Sequence, residues 1–157
     1  MSSKPNLSIK NQLEQTVLWL ALVQSEETND FIHDESFPSL LISKNCEINS
    51  TDSNGDTLLH LCARQCLEKA AIFLVDKKAK INVLNNESES CLHLACENGL
   101  TDLVSILLKQ GADSNIQTSS VTNSQTPMHK AILNNHEDIL ELFITHKQEM
   151  SGKIITN

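Results

Sequence analysis

Tyrosine is missing from the 157 residues, and four Phe and one Trp are the only aromatic side chains. With so few large rings, a core has to be filled mainly by Leu, Ile, Ala and Val, which suits thin stacked helices and disfavours a β-sandwich. Basic residues are also scarce. Twelve Lys and Arg stand against 20 Asp and Glu, the formal net charge is −8, and no dense Lys/Arg run occurs. Phosphate backbones and anionic lipid surfaces are repelled on average, which argues against nucleic acid as a partner and against direct membrane binding. No stretch reaches the ~18 apolar residues of a membrane span, and the run Val17 to Val23 also lacks the basic flank of a secretory leader.

Glycine and organised cysteine are equally thin. Four glycines make no phosphate-cradling loop, no paired Cys-x-x-Cys spacing exists for zinc, and no cofactor is expected. The five cysteines, at 46, 62, 66, 91 and 96, are odd in number and lie inside apolar helical patterns. That disfavours a secreted disulfide scaffold and points to a reducing cytoplasmic setting.

What is present is periodic. A hydrophobic content of 39% suffices for one domain's core, and the chain aligns with itself around four runs. They are Thr16-Val17-Leu18-Trp19-Leu20-Ala21-Leu22, Thr57-Leu58-Leu59-His60-Leu61-Cys62-Ala63, Ser90-Cys91-Leu92-His93-Leu94-Ala95-Cys96 and Thr126-Pro127-Met128-His129-Lys130-Ala131-Ile132. The spacing from Thr57 to Ser90 is 33 residues, from Thr16 to Thr57 it is 41, and from Ser90 to Thr126 it is 36. The eight extra residues fall around Ser25 to Ser36 and the three extra in the loop Gln117 to Gln125, so both enlargements are predicted to leave the helices intact. The acidic pairs Glu26-Glu27 and Asp34-Glu35 are expected in the first of these loops, either solvated or serving as a dock for a basic partner.

Each repeated residue type has a physical reason. Thr or Ser can cap the free N–H groups of a starting helix, and Pro127 follows its cap where a missing donor costs nothing. Ala21, Ala63, Ala95 and Ala131 let helices approach. The spacing of Leu100, Leu103, Val104, Leu107 and Leu108 gives one buried stripe. Gly99 marks a turn between paired helices where φ is positive. Cys66 and Asn135 hold the equivalent places, and since Cys tolerates that conformation poorly, unit 2 is predicted to turn differently or carry strain. Helix pairs are predicted over 16–24 and 35–44, 57–65 and 67–77, 90–98 and 100–109, and 126–134 and 136–147.

A period of 33 with T-P-L-H opening one helix and L-L-x-x-G-A-x-x-N closing the next resembles the ankyrin repeat. Leu107-Leu108-Lys109-Gln110-Gly111-Ala112-Asp113-Ser114-Asn115 carries the closing pattern most fully, while unit 2 keeps Ala79 and Asn82 with Lys78 in place of Gly. The resemblance implies an all-α solenoid of about four stacked helix-turn-helix units with extended hairpin loops. The repeat domain is read as residues 12–148, with units 12–51, 52–84, 85–120 and 121–148, between an unstructured flank 1–11 and a tail 149–157. The order "TVLWLALVQ", insertion, "CLHLACENGLTDLVSILLKQGADSNIQT", enlarged loop, "QTPMHKAILNNHEDI" further resembles a middle segment of the rabankyrin family. Those proteins are endosomal Rab effectors with BTB, ankyrin and FYVE parts. No BTB segment or FYVE zinc spacing is present in these residues, and Asn29-Asp30-Phe31 stands where an Asn-Pro-Phe motif for EH domains would need Pro.

The clustered His and Cys residues invite a chemical reading and do not sustain it. His60, His93 and His129 recur one per unit, and helices stack on the order of 10 Å apart, beyond the ~2 Å of a shared metal bond. His60, Cys62 and Cys66 form at most half a metal site. Catalysis needs a nucleophile, a base and an orienting acid converging on one pocket, and the repeat accounts for most histidines. The chain is expected to be no enzyme and to hold no metal.

What the ankyrin resemblance implies instead is a concave face of loop tips and first-helix residues that docks protein. Carried over unit by unit, its contact residues are Asn54, Asp56, Arg64, Gln65, Asn86, Glu87, Glu89, Glu97, Asn98, Asn123, Gln125, Lys130 and Asn134. Leu20, Leu61 and Leu94 are expected to be half-buried packing. The polar, acidic tips favour a basic or hydrogen-bonding partner. The rabankyrin resemblance implies a Rab GTPase or another trafficking protein, with recruitment from the cytoplasm to endosomes. The alternative is a stand-alone IκB-like inhibitor of a transcription factor.

Overall fold

The computed structural model describes residues 16–28, 36–119 and 124–154. Eight helices follow one another over these residues. They are α1 (Val17–Thr28), α2 (Phe37–Ser43), α3 (Leu58–Arg64), α4 (Glu68–Asp76), α5 (Cys91–Glu97), α6 (Thr101–Lys109), α7 (Pro127–Leu133) and α8 (Glu137–Ile154). Consecutive helices pair, and the pairs stack. The first helices α3, α5 and α7 form one row and the second helices α4, α6 and α8 another, with α1 packed on α2 and α4. The predicted all-α solenoid of four units is what forms.

Local chemistry starts each first helix. Thr57 and Thr126 are extended, and their Oγ1 atoms accept the N–H groups of His60 and His129 at 3.5 Å each. The imidazoles reach back, Nδ1 accepting the N–H of Thr57 at 3.2 Å and of Thr126 at 3.1 Å. This is a capping box with His in the place usually held by Glu or Gln. In unit 3 the ring half is kept, Ser90 N–H to His93 Nδ1 at 3.1 Å, while the His93 N–H goes to the Ser90 carbonyl at 3.0 Å. Unit 1 has Trp19 at that position, so only Thr16 caps, accepting the Trp19 N–H at 3.2 Å.

The turn inside each pair repeats as well. Gly99 has φ 72°, and Cys66 and Asn135 both have φ 58°. Unit 2 therefore turns in the same way as its neighbours, with the left-handed strain carried by Cys66. A second set of left-handed residues, Asn45, Lys78 and Gly111 at φ 64°, 67° and 85°, leads out of α2, α4 and α6. Between these turns lies one continuous core. Leu18, Leu22, Leu59, Leu74, Leu92, Leu94, Leu103, Leu107 and Ile139 are fully buried, each contributing about 1.5–3 kcal/mol by area removed from water. Ala63, Ala95 and Ala131 lie fully buried where the first helices meet.

Two helices outrun their predicted ends. α1 continues to Thr28, into the predicted insertion, and the Glu26 carboxylate accepts the N–H groups of Lys69 at 3.3 Å and Ala70 at 2.7 Å. Glu26 is thus a cap on α4, where a carboxylate is favoured by the exposed N–H groups and the helix dipole. Glu68 repeats the device one unit on, accepting Leu103 N–H at 3.0 Å. α8 runs past residue 148 to Ile154. The flank 1–11, Asn29-Asp30-Phe31 and Asp34-Glu35 lie outside the described residues.

Candidate protein-binding face

The tips are built by one repeated hairpin. Asp52 and Asn85, four residues before Asp56 and Glu89, each turn the chain by accepting two backbone N–H groups on Oδ1. Asp52 takes those of Asn54 and Asp56, both at 2.9 Å, and Asn85 those of Glu87 and Glu89 at 3.0 and 2.9 Å. These are Asx turns, the local geometry Asp and Asn side chains favour. Backbone bonds close each hairpin at 3.0 Å, from Asp52 N–H to Asp56, Asn85 N–H to Glu89, and Thr118 N–H to Gln125. Thr118 to Gln125 closes despite the three extra residues. The tips are then tied to one another, Asn86 N–H to Asn54 O at 3.0 Å and Ser119 N–H to Glu87 O at 2.9 Å. Loops that would be loose singly form a row fixed by backbone hydrogen bonds.

Behind that row runs a charged chain that crosses three units. Arg64 Nη2 lies 3.2 Å from Asp56 and 3.6 Å from Glu89, and Lys130 Nζ lies 2.9 Å from Glu89 and 3.1 Å from Glu97. Asp56 also accepts the Asn85 carboxamide at 2.8 Å. Burial pushes the Glu89 pKa up, but the hydrogen bond and charge of Lys130, with help from Asn85 and Arg64, outweigh it, and the net pKa is lowered from 4.5. Burial likewise lowers Lys130, and its bonds to Glu89 and Glu97 prevail, so its pKa is raised from 10.5. Glu89 is therefore an ionised carboxylate held between a cation from the preceding unit and one from the following unit.

Above Asp56 and Glu89, Asn54, Arg64, Asn85, Asn86 and Glu87 line a shallow cleft of about 260 Å³. Asn85 is committed on both side-chain atoms, and Asn86 Nδ2 donates to Ser53 O at 3.1 Å. The Asn54 carboxamide, the Glu87 carboxylate and the 45% exposed Arg64 side chain face outward. A hydrogen-bonding group, an anion and a cation are thus presented together on a backbone that is already ordered, which lowers the entropy lost on docking.

The histidines and cysteines behind this face have structural work. With Nδ1 accepting, Nε2 carries the proton. In His60 it donates to the Glu89 carbonyl at 3.1 Å, and in His93 to the carbonyls of Ile116 at 3.1 Å and Gln125 at 3.2 Å. Each ring joins its own cap to the next hairpin. Burial is the largest influence on both and lowers their pKa from 6.5, partly offset by the carbonyls they donate to. Cys62, Cys91 and Cys96 are buried, and burial pushes their thiols well up from 9.0, away from thiolate chemistry. Among the described residues no group of three or more His, Cys, Asp or Glu is arranged to hold a metal.

Comparison with known proteins agrees with this architecture. A family described as "Ankyrin repeats (3 copies)" matches residues 30–118 and 73–154. The chain belongs to the ankyrin-repeat family. It is also similar to Rabankyrin-5 of Homo sapiens, 33% identical over 174 aligned positions, and to Rabankyrin-5 of Mus musculus, 32% identical over 174. In both cases 90% of this chain is covered, and it spans only 15% of the relative's length. Ankyrin repeats are protein–protein interaction modules.

The structure does not expose every residue predicted for the face. Asn54, Arg64, Asn86 and Glu87 come together at the cleft. Asp56 and Glu89 are corrections, because both are buried and paired beneath it. Lys130 is mostly buried and spent on Glu89 and Glu97. Asn98 and Asn134 donate to the carbonyls of Ala63 and Lys130 at 3.1 and 2.9 Å, and Gln125 accepts from His93 through its backbone. Gln65 is exposed on the helix row and Glu97 is partly so. Asn123 lies outside the described residues. Of the leucines expected to be half-buried, Leu61 is, Leu94 is fully buried and Leu20 is half exposed. Asn85 was not predicted, although its place four residues before the capping Glu89-Ser90 mirrors Asp52 before Asp56-Thr57.

Proposed function

We propose that this chain is a non-catalytic adaptor that docks one protein partner across its concave face, with contact centred on Asn54, Arg64, Asn86 and Glu87 and extending to Gln65 and Glu97. The observation that carries this is the ordered cleft, where the exposed cation at the end of α3 faces exposed polar and acidic groups on tips cross-tied by backbone hydrogen bonds. Arg64 is steered from behind by Asp56 and Glu89, so its guanidinium is positioned before a partner arrives. The acidic excess of the chain favours a partner with a basic or hydrogen-bonding surface, aiding encounter more than affinity.

The similarity to Rabankyrin-5 supports an endosomal trafficking role. In it the partner is a Rab GTPase or another trafficking protein, and the chain is recruited from the cytoplasm to endosomes through that partner. No described helix is long and apolar enough to cross a membrane.

Asn54→Ala combined with Glu87→Arg tests the face, since both side chains are exposed and neither supports the stack. Proteins retained by the wild-type chain from an extract of endosomal membranes are expected to fall by about tenfold or more with the double variant, while the thermal midpoint stays unchanged. Retention of the same proteins at wild-type levels contradicts the proposal. Arg64 is unsuitable for this purpose, because removing it leaves the buried Asp56 carboxylate without its cation.

A further inference from the structure

The tip that lines the cleft also carries a reactive dipeptide. Asn followed by Gly occurs twice in the sequence, at Asn54-Gly55 and at Asn98-Gly99. Glycine has no side chain to shield its backbone nitrogen, so that nitrogen can reach the carboxamide carbon of the Asn before it. The structure treats the two pairs differently. Asn98 caps the end of α5 at φ −96° and ψ 3°, its N–H donates to the Leu94 carbonyl at 3.0 Å, and its Nδ2 donates to the Ala63 carbonyl at 3.1 Å. A Cβ on Gly99 would stand 2.7 Å from the His136 ring, so that turn is packed. Bringing the Gly99 nitrogen round to the Asn98 carboxamide unwinds the end of α5 and disturbs its packing against the neighbouring units.

Asn54 is exposed at a hairpin tip, and among the described residues no hydrogen bond holds its carboxamide. The Gly55 N–H makes one bond, to the Asp52 carbonyl at 3.1 Å. Bonds at exposed loop tips open at the low end of the free-energy range, those of a buried helix joint much higher.

We infer that Asn54 is a site of spontaneous modification and that its conversion switches the docking cleft off, the second half resting on the function proposed above. The Gly55 nitrogen bonds to Asn54 Cγ, the Cγ–Nδ2 bond breaks, and the amide proton leaves with the NH2 group as ammonia, giving a cyclic imide. Water then opens the imide at either carbonyl. One opening leaves Asp at position 54. The other leaves isoaspartate, in which the main chain runs through Cβ and Cγ and is longer by one atom. Water is the only co-reactant.

Both products place a new carboxylate beside Asp52 and Glu87, on tips that are already acidic. The longer chain also has no room. A Cβ on Gly55 would lie 2.8 Å from Asn86 Oδ1 and 3.1 Å from Asn86 N, so the two tips touch without slack. Inserting an atom there is expected to cost the 3.0 Å tie from Asn86 N–H to the Asn54 carbonyl and the Asx turn in which Asp52 accepts the Asp56 N–H at 2.9 Å.

Ageing the full chain in mildly alkaline water enriched in heavy oxygen, followed by tandem mass spectrometry of peptides prepared in ordinary water, tests this. Position 54 is expected to become a mixture of Asp and isoaspartate carrying solvent oxygen, at least about tenfold faster than position 98, as an exposed tip opens more readily than a helix joint. In strong denaturant both positions are expected to convert at similar rates, which assigns the difference to the fold. Asn54→Gln, which would have to close a larger ring, is expected to stay unmodified. Amide exchange at Asn86 is expected to be faster in the converted chain than in the fresh one. Equal rates at 54 and 98 in the folded chain overturn the proposal, and so does a converted chain in which Asn86 exchanges as before. Retention of endosomal proteins by fresh and converted chains separates the two halves. Conversion that loosens the tip without diminishing retention overturns the switch and the cleft as contact surface, and leaves the modification standing.

Discussion

Units 3 and 4 share the ring half of the capping box and differ in what lies beyond it. In both, the imidazole Nδ1 accepts the N–H of the capping residue at 3.1 Å. His93 is fully buried, with Nε2 on two carbonyls of the following hairpin, whereas His129 is exposed. The comparison separates two roles that one residue type serves: a local role that starts a helix, and a non-local role that ties one unit to the next. Only the second depends on the stack.

The largest expected effect comes from removing the tie. His93→Ala leaves the Ser90 N–H and two hairpin carbonyls without the ring and opens a void, costing about 2–4 kcal/mol in urea unfolding. His129→Ala removes only the local half and is expected to cost about 1 kcal/mol or less. Equal losses would show that capping, not stacking, is what the histidine contributes. Next comes the turn. A Cβ on Gly99 would lie 2.7 Å from the His136 ring, and φ is 72°, so Gly99→Ala is expected to lower stability by about 2–3 kcal/mol. The same ring donates to the Glu97 carbonyl at 3.0 Å, so the damage falls on the joint between units 3 and 4.

Those turns also show what the sequence made legible. The repeat could be read from its period of 33 residues, and the capping residues and the left-handed turns at Gly99 and Asn135 from residues within four positions of one another, whereas the left-handed Asn45 and Lys78 were not foreseen. Glu26 as a cap on α4 could not, since its partners are 43 and 44 residues away. For the same reason the burial of Asp56 and Glu89 escaped notice: a carboxylate at a hairpin end reads as solvated until Arg64 and Lys130 are seen to converge on it. Asn54, Arg64, Asn86 and Glu87 were readable as surface because the family's geometry assigns tips and first-helix places by position.

Protonation offers a third, smaller break. His60 and His93 have folded pKa values below 6.5, so the unfolded chain takes up protons first as pH falls. Their neutral, buried state stabilises fully above pH 6.5, and that contribution is lost as pH drops from 6.5 toward the folded values. Urea midpoints are expected to fall between about pH 7 and 5, and His93→Ala should flatten the slope. A steeper slope in that variant would refute the role given to the ring. The carboxylate of Glu89, lowered from 4.5, adds a further loss only below that value.

The smallest change is a gain. Cys66→Gly relieves the left-handed strain at φ 58° in unit 2 and is expected to raise stability by about 1 kcal/mol. A loss would mean that the exposed Cys66 side chain makes a contribution its position does not reveal.

The most direct test of the concave-face account is amide hydrogen exchange on the chain alone and with its retained partner bound. Protection is expected in the tips 52–56 and 85–89 and at the ends of α3 and α5, with α4 and α6 unchanged. Protection confined to α4 and α6 would put the partner on the opposite side of the stack and contradict the account.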